Sequence, residues 1–336
     1  MHIVITGGSG FLGVRLARTL LAKGGLGLAG GKEHRIAMLT LVDRVPPPDD
    51  LALHSKVDVV TGDLGELLEP GSAQRALPAE TALVFHLAAA VSGECEADFD
   101  LGMHNNLAAT QALLEACRAQ QTRPMVVFSS SLAVFGPPLP RVIEDDTLPT
   151  PQTSYGIQKF ICEQLVADYC RKGFVHGRSV RLMSVSVRPG RPNGAASGFL
   201  SGMFREPLAG LPGRCPVPPE TMVALSSPAR TIEGLIRAAT TPHADWGART
   251  AVNLPSLCVS VGEMAEALER VAGPAAMSLL DCTPDAAITQ IVAGWPGRFE
   301  WARARELGLF ADESVDAILR DYVRENPDAV MLPVAA

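Results

Sequence analysis

Thr6-Gly7-Gly8-Ser9-Gly10-Phe11-Leu12-Gly13 decides how this chain folds. Ahead of it, His2-Ile3-Val4-Ile5 is a short apolar, β-branched run of the kind a buried strand needs. Behind it, Phe11, Leu12, Leu16, Leu20 and Leu21 recur at helical spacing, with Arg15, Arg18 and Lys23 interleaved. Strand, tight glycine turn and helix in that order make the first βα unit of a dinucleotide-binding fold. Gly7, Gly10 and Gly13 answer three needs: a sharp turn, close approach of backbone to a pyrophosphate, and tight packing of helix on strand. The helix start, through Ser9, Gly10, Phe11 and Leu12, offers free N–H groups and a positive dipole end to the phosphates.

Outward from this unit, residues 24–34 are glycine-rich and aperiodic and read as a surface loop. Residues 35–43 form a second apolar strand that closes on Asp43. At the end of that strand an acid accepts hydrogen bonds from both adenosine ribose hydroxyls and repels a 2′-phosphate, which favours NAD over NADP. Arg44 follows at once and leaves room for NADP. Val57–Val60 is a third strand, after which Asp63 suits the N-cap of the next segment. Ala82–Ala90 reads as a fourth strand whose small terminal residues let backbone lie against a cofactor. A long helix is expected over 98–120, where Asn106 has poor helix propensity and calls for a tertiary hydrogen bond. Met125–Phe128 is the fifth strand and runs into Ser129-Ser130-Ser131; a sixth is expected over 179–187.

The chemistry is carried by Tyr155 and Lys159, at the front of a helix reaching about Tyr169. An i, i+4 pair shares one helix face, so the Lys159 ammonium can sit beside the Tyr155 phenol. A free phenol titrates near pH 10 and is a poor base at neutrality, whereas a neighbouring cation favours the phenolate. The pair gains weight from its order after the glycine turn, the acid Asp43 and the serine triplet.

Composition bounds the alternatives. The chain has 336 residues, 47% hydrophobic and 19% charged, enough for one large domain or two moderate ones. A net charge of −7 with no basic run argues against a nucleic-acid or anionic-membrane partner. No apolar run reaches bilayer length, and no secretory leader is read. Seven scattered cysteines without a C-x-x-C pair read as reduced thiols of a cytoplasmic protein. Histidine spacing suggests no metal site.

The glycine spacing G-x-x-G-x-x-G, the serine triplet and Y-x-x-x-K together resemble the extended short-chain dehydrogenase/reductase family over roughly the first 190 residues. The resemblance implies an α/β fold: a Rossmann-type, doubly wound parallel sheet with a smaller C-terminal substrate-binding region. Residues 1–189 are expected to bind NAD, with segments of about 223–255 returning to that domain and 190–336 mainly binding substrate. By the same resemblance Ser131 holds the substrate hydroxyl while Tyr155 takes its proton, and Lys159 bonds the nicotinamide ribose. Asp63 and Leu64 match the turn that meets adenine. His86-Leu87-Ala88-Ala89 matches an H-x-A-A signature against the cofactor, and Asn106 an N-x-x-G-T. Ser92 stands where substrate is often met, and Pro189 where the nicotinamide is backed. Helices carrying Asn106 and Tyr155 commonly pair two subunits, so a homodimer is expected.

Later in the chain Ser260-x-x-Glu263 is a capping box, Gly273-Pro274 a helix stop, and Thr283-Pro284 a helix start. Leu132-Ala133 stand where dehydratases of the family carry an Asp-Glu pair, so water elimination lacks its acid and base. The stretches 86–102 and 188–210 resemble bacterial dehydrogenases that oxidise a four-carbon sugar acid at C2 with NAD. Such an acid needs a cation; Arg188, Arg191 and Arg230 are the candidates, with Asn193 beside them. An epimerase of nucleotide-activated sugars is the alternative. A non-catalytic nucleotide-sensing regulator is disfavoured because positions 131, 155 and 159 are all filled.

Overall fold

In the computed structural model, which describes residues 1–69, 71, 75–190 and 196–334, the glycine stretch sits between β1 (His2–Thr6) and α1 (Phe11–Lys23). The parallel sheet continues through β2 (Met38–Asp43), β3 (Val57–Thr61), β4 (Thr81–His86), β5 (Met125–Ser131) and β6 (His176–Leu182), plus a short strand at Val252–Asn253. Their spatial order is β3-β2-β1-β4-β5-β6 and then 252–253. β1 pairs in parallel with both β2 and β4, so the order reverses direction beside it. Helices cover the sheet, which is why its central strands are continuous apolar runs and not alternating ones. Ile3, Val4, Ile5, Leu83, Val84 and Phe85 have no exposed surface. The expected doubly wound α/β sheet is thus present.

Several boundaries move for local reasons. β2 starts at Met38, not residue 35, because His34–Arg35 pairs antiparallel with Gly25–Leu26 and turns part of the expected loop into a small hairpin. β4 stops at His86, short of residue 90: Leu87 N–H makes the last ladder bond, to the carbonyl of Thr6, where β1 itself ends. The single helix expected over 98–120 is interrupted: Phe99–Gly102 is α-helical, Met103–Ala108 forms a π turn, and α-helix resumes at Ala109–Ala119. The sixth strand lies earlier than expected, and Ser184–Val185 pairs instead with Met222–Ser226.

The chain divides into two units, each drawn from three segments. The first comprises Met1–Val134, Thr153–Arg181 and Ile232–Val252. One part of its core joins Val4, Val42, Val84, Val126 and Phe128 of the sheet to Leu113, Leu114, Cys162 and Val166 of the helices. The second comprises Phe135–Gln152, Leu182–Thr231 and Asn253–Ala336, so residues 223–231 go with it and 232–252 with the first. Its core gathers Phe204, Met264, Leu268 and Leu319. There Ser260 and Glu263 form the expected reciprocal cap. That helix kinks at Gly273, with φ +76°, but runs on to Met277. Asp285, not Thr283, caps Ala286–Ala293, because its carboxylate reaches Ala287 N–H and Ile288 N–H while Thr283 bonds Asp281.

Candidate active site

The segments expected to meet a nucleotide leave the C-terminal ends of β1 to β5 and so line one edge of the first unit. That edge, beside the strand where the order reverses, is where open α/β sheets bind ligands. Gly7 there has φ +71°, and a Cβ on it would lie 2.7 Å from Ala88 N. A Cβ on Gly13 would lie 2.1 Å from the Gly7 carbonyl oxygen. Neither position admits a side chain, so α1 and the 87–88 backbone close directly onto the turn. α1 starts at Gly10 with no side-chain cap and no acid in its first turn, which leaves amides at Phe11 and Leu12 for an anion. This uncapped cradle fits a dinucleotide pyrophosphate.

Asp43 ends β2 with its carboxylate fixed by two backbone donors, Ser9 N–H at 3.0 Å and Arg44 N–H at 2.7 Å. The first of these ties the acid to the glycine turn itself. Asp63 caps α2 (Leu64–Leu67), accepting from Gly65 N–H and Glu66 N–H, and also takes Arg44 and His104. Burial pushes the Asp63 carboxyl up, but those hydrogen bonds outweigh it and hold the group below the ordinary carboxylate range. Leu64 packs on the core.

His86 is buried in a hydrogen-bond chain. Thr110 Oγ1 donates to the Asn106 carbonyl, so it must accept from His86 Nε2–H, which leaves Nδ1 to accept from Thr6 Oγ1. Burial first, then the Lys159 charge, lowers its pKa to about 3, so the ring is neutral. Ala88 N–H meets Thr6 Oγ1 and Ala89 follows at the same edge. The π turn explains Asn106. Its Oδ1 accepts from Ala90 N–H at 2.7 Å, while Nδ2 donates to Gln158 Oε1 at 2.8 Å. Asn106 thereby ties the segment after β4 to the helix of Tyr155.

That helix, Ser154–Arg171, is capped by Thr153, whose hydroxyl accepts from Gly156 N–H. Tyr155 is half-buried in its first turn. One turn on, Lys159 is 2% exposed and donates to the Ser129 carbonyl at 2.9 Å. Its Nζ lies 5.7 Å from the Tyr155 ring centroid and 4.8 Å from that of Phe128. Burial lowers the lysine to about 8, partly offset by Cys162, Cys95 and Glu163. Ser131 ends β5, its Oγ accepting from Ala133 N–H.

Sequence reasoning missed the support behind this set. Glu163, four residues after Lys159, forms a two-point ion pair with Arg181 at 2.8 and 2.9 Å and also accepts from Ser130 Oγ. Ser129 Oγ donates to the His86 carbonyl. The serine triplet thus divides its work: Ser129 and Ser130 fix β5 and Ser131 ends it. K-x-x-x-E spacing was the available signal, since it puts both charges on one helix face.

The remaining candidates divide. Ser92 is half-buried at the start of the short helix Ser92–Ala97 in the first unit. Arg188 and Pro189 are in the second unit, where Arg188 donates to the Val185 carbonyl and to Ser197 Oγ. Arg230 starts from a backbone bond to Ser227 Oγ in that unit. Arg191 and Asn193 lie outside the described residues. Among the described residues no three His, Cys, Asp or Glu side chains group as for a metal ion, and no helix is long and apolar enough to cross a membrane.

Residues 3–223 match the model of the NAD dependent epimerase/dehydratase family. The chain is 48% identical over 327 residues to a D-erythronate dehydrogenase of Cupriavidus necator, covering 97% of this chain and 98% of that one. It is 40% identical over 323 residues to one of Haemophilus influenzae, covering 96% and 99%. A solved nucleoside-diphosphate-sugar epimerase from Agrobacterium tumefaciens superposes with a TM-score of 0.89 at 40% identity, covering 98% and 95%. L-threonine 3-dehydrogenase from Trypanosoma brucei shares the fold, with a TM-score of 0.82 at 24% identity over 99% of both chains. With its uncapped glycine cradle at the sheet's switch point and a family match over about two-thirds of its length, the chain belongs to the NAD-dependent epimerase/dehydratase family.

Proposed function

We propose that this protein is an NAD-dependent dehydrogenase that oxidises D-erythronate to 2-dehydro-D-erythronate. The observation that carries the reading is near full-length identity to two D-erythronate dehydrogenases, at 48% and 40%. The chemistry fits the first unit. Tyr155 accepts the proton of the substrate hydroxyl, Ser131 holds that hydroxyl's oxygen, and Lys159 keeps a positive charge on the same helix face. When bound, the nicotinamide takes the hydride from carbon. Asp43, fixed by backbone N–H groups, receives the ribose hydroxyls and selects NAD. Asp63 and Leu64 face adenine, and Leu87, Ala88, Ala89 and Pro189 contact the cofactor. Ser92 and one of Arg188, Arg191 and Arg230 serve the substrate, with Asn193.

Ile157 and Ile161 on the Tyr155 helix are 45% and 38% exposed, an i, i+4 apolar pair suited to a homodimer contact. The seven cysteines are free thiols, in keeping with a cytoplasmic enzyme.

Nucleotide-sugar 4-epimerisation, or a related reductase activity, is the second reading, favoured by the likeness to the Agrobacterium nucleoside-diphosphate-sugar epimerase at 40% identity. One assay separates them, because an epimerase returns its hydride and a dehydrogenase does not. Millimolar D-erythronate with NAD should give steady NADH at 340 nm. Arg188→Met or Arg230→Met should raise KM for the acid without changing NAD affinity if that residue pairs with its carboxylate. No NADH from D-erythronate, together with tight binding of a UDP- or dTDP-sugar, replaces the first reading by the second.

A further inference from the structure

Asp43 is not the only residue placed to choose between nucleotides. An arginine near the end of this strand is what receives a 2′-phosphate in NADP-binding folds of this type. Arg44 stands at that place, yet its guanidinium does not pair with Asp43. A single nitrogen, Nη2, donates to Asn105 Oδ1 at 2.6 Å and to Asp63 Oδ2 at 3.1 Å. Asp63 is itself anchored, through Gly65 N–H at 2.9 Å and His104 Nε2 at 3.0 Å. Its side chain is 19% exposed against 55% for Arg44. An exposed ion pair alone holds an arginine weakly. Here one acceptor is a preorganised, mostly buried carboxylate and the other a neutral amide from a different segment, the π turn.

We propose that Asp63 and Asn105 form a latch that withdraws Arg44 from the ribose 2′ position and thereby sets selectivity for NAD. The latch acts twice. It commits the cation that would otherwise meet a 2′-phosphate. It also leaves Asp43 with backbone donors only, so its charge stays uncompensated toward that phosphate. The inference rests on the reading that the adenosine ribose binds at Asp43.

The test measures binding of 2′,5′-ADP and of NADH by calorimetry, with no turnover involved. Asn105→Ala removes one acceptor and should tighten 2′,5′-ADP at least fivefold while NADH affinity stays within twofold. Adding Arg44→Ala to that variant should abolish the gain. Arg44→Ala alone should leave wild-type binding of 2′,5′-ADP within twofold, because a latched arginine contributes nothing there. Asn105→Asp keeps an acceptor and should show no gain. An Asn105→Ala variant that binds 2′,5′-ADP no more tightly, or a gain that survives loss of Arg44, overturns the latch. Wild-type preference for NADH over NADPH is read separately. Equal affinities reject the NAD reading, whereas the comparison of Asn105→Ala with its Arg44→Ala double still decides the latch.

Discussion

Lys159 is asked to carry a positive charge in a place that disfavours one. Burial lowers it from the ordinary 10.5 to about 8, so between those values the unfolded chain binds a proton that the folded one has released. Folding stability therefore rises with pH across that window, and below about 8 the folded state bears the whole cost of the buried charge. Lys159→Met removes both the cost and the function. Turnover and NAD affinity should fall together. Relative to wild type the variant should be most stable near pH 7 and lose that advantage as pH climbs from about 8 toward 10.5, read as paired thermal melts. A constant difference across that range would show that the lysine is not desolvated. Tyr155→Phe makes the complementary case: cofactor binding is kept while kcat drops about 10²-fold or more, the scale of a lost general base. Unchanged turnover in a folded Tyr155→Phe protein removes the tyrosine from the mechanism.

The Arg181–Glu163–Ser130 network ties β5 and β6 to the helix of Tyr155, with the Arg181 and Glu163 side chains 6% and 2% exposed. Glu163→Ala strands a buried guanidinium and should cost about 3–5 kcal/mol of stability in chemical denaturation. A loss below about 1 kcal/mol would mean that water already reaches the pair. This contact also marks where sequence reading ends. The glycine turn, Asp43 and Y-x-x-x-K were legible because each is a local pattern whose chemistry depends on neighbours in the chain. Arg181 meets Glu163 from 18 residues away, on a different element, and nothing local announces it. The π turn escaped for a similar reason. Helical periodicity runs through residues 98–120 without a glycine or proline to interrupt it after Gly102, and the turn is fixed instead by what Asn106 reaches. Thr283-Pro284 carried a good start signal, but Asp285 offered a stronger acceptor two residues on.

At the scale of the whole molecule, each unit is assembled from three separate lengths of chain. The last of these in the first unit, Ile232–Val252, brings Leu235, Ala238 and Ala239 into the core, and its Ala238 carbonyl accepts from the buried Arg178. A fragment ending at residue 189 lacks all of this. It should show no cooperative unfolding by circular dichroism and no NADH binding, although it keeps the glycine turn, Tyr155 and Lys159. Nucleotide binding by that fragment would show that the third length is dispensable. The interleaving also has a consequence during synthesis. A growing chain cannot complete its first unit until Val252 has cleared the ribosome. Until then its sheet and helices must hold without the packing that Leu235, Ala238 and Ala239 supply.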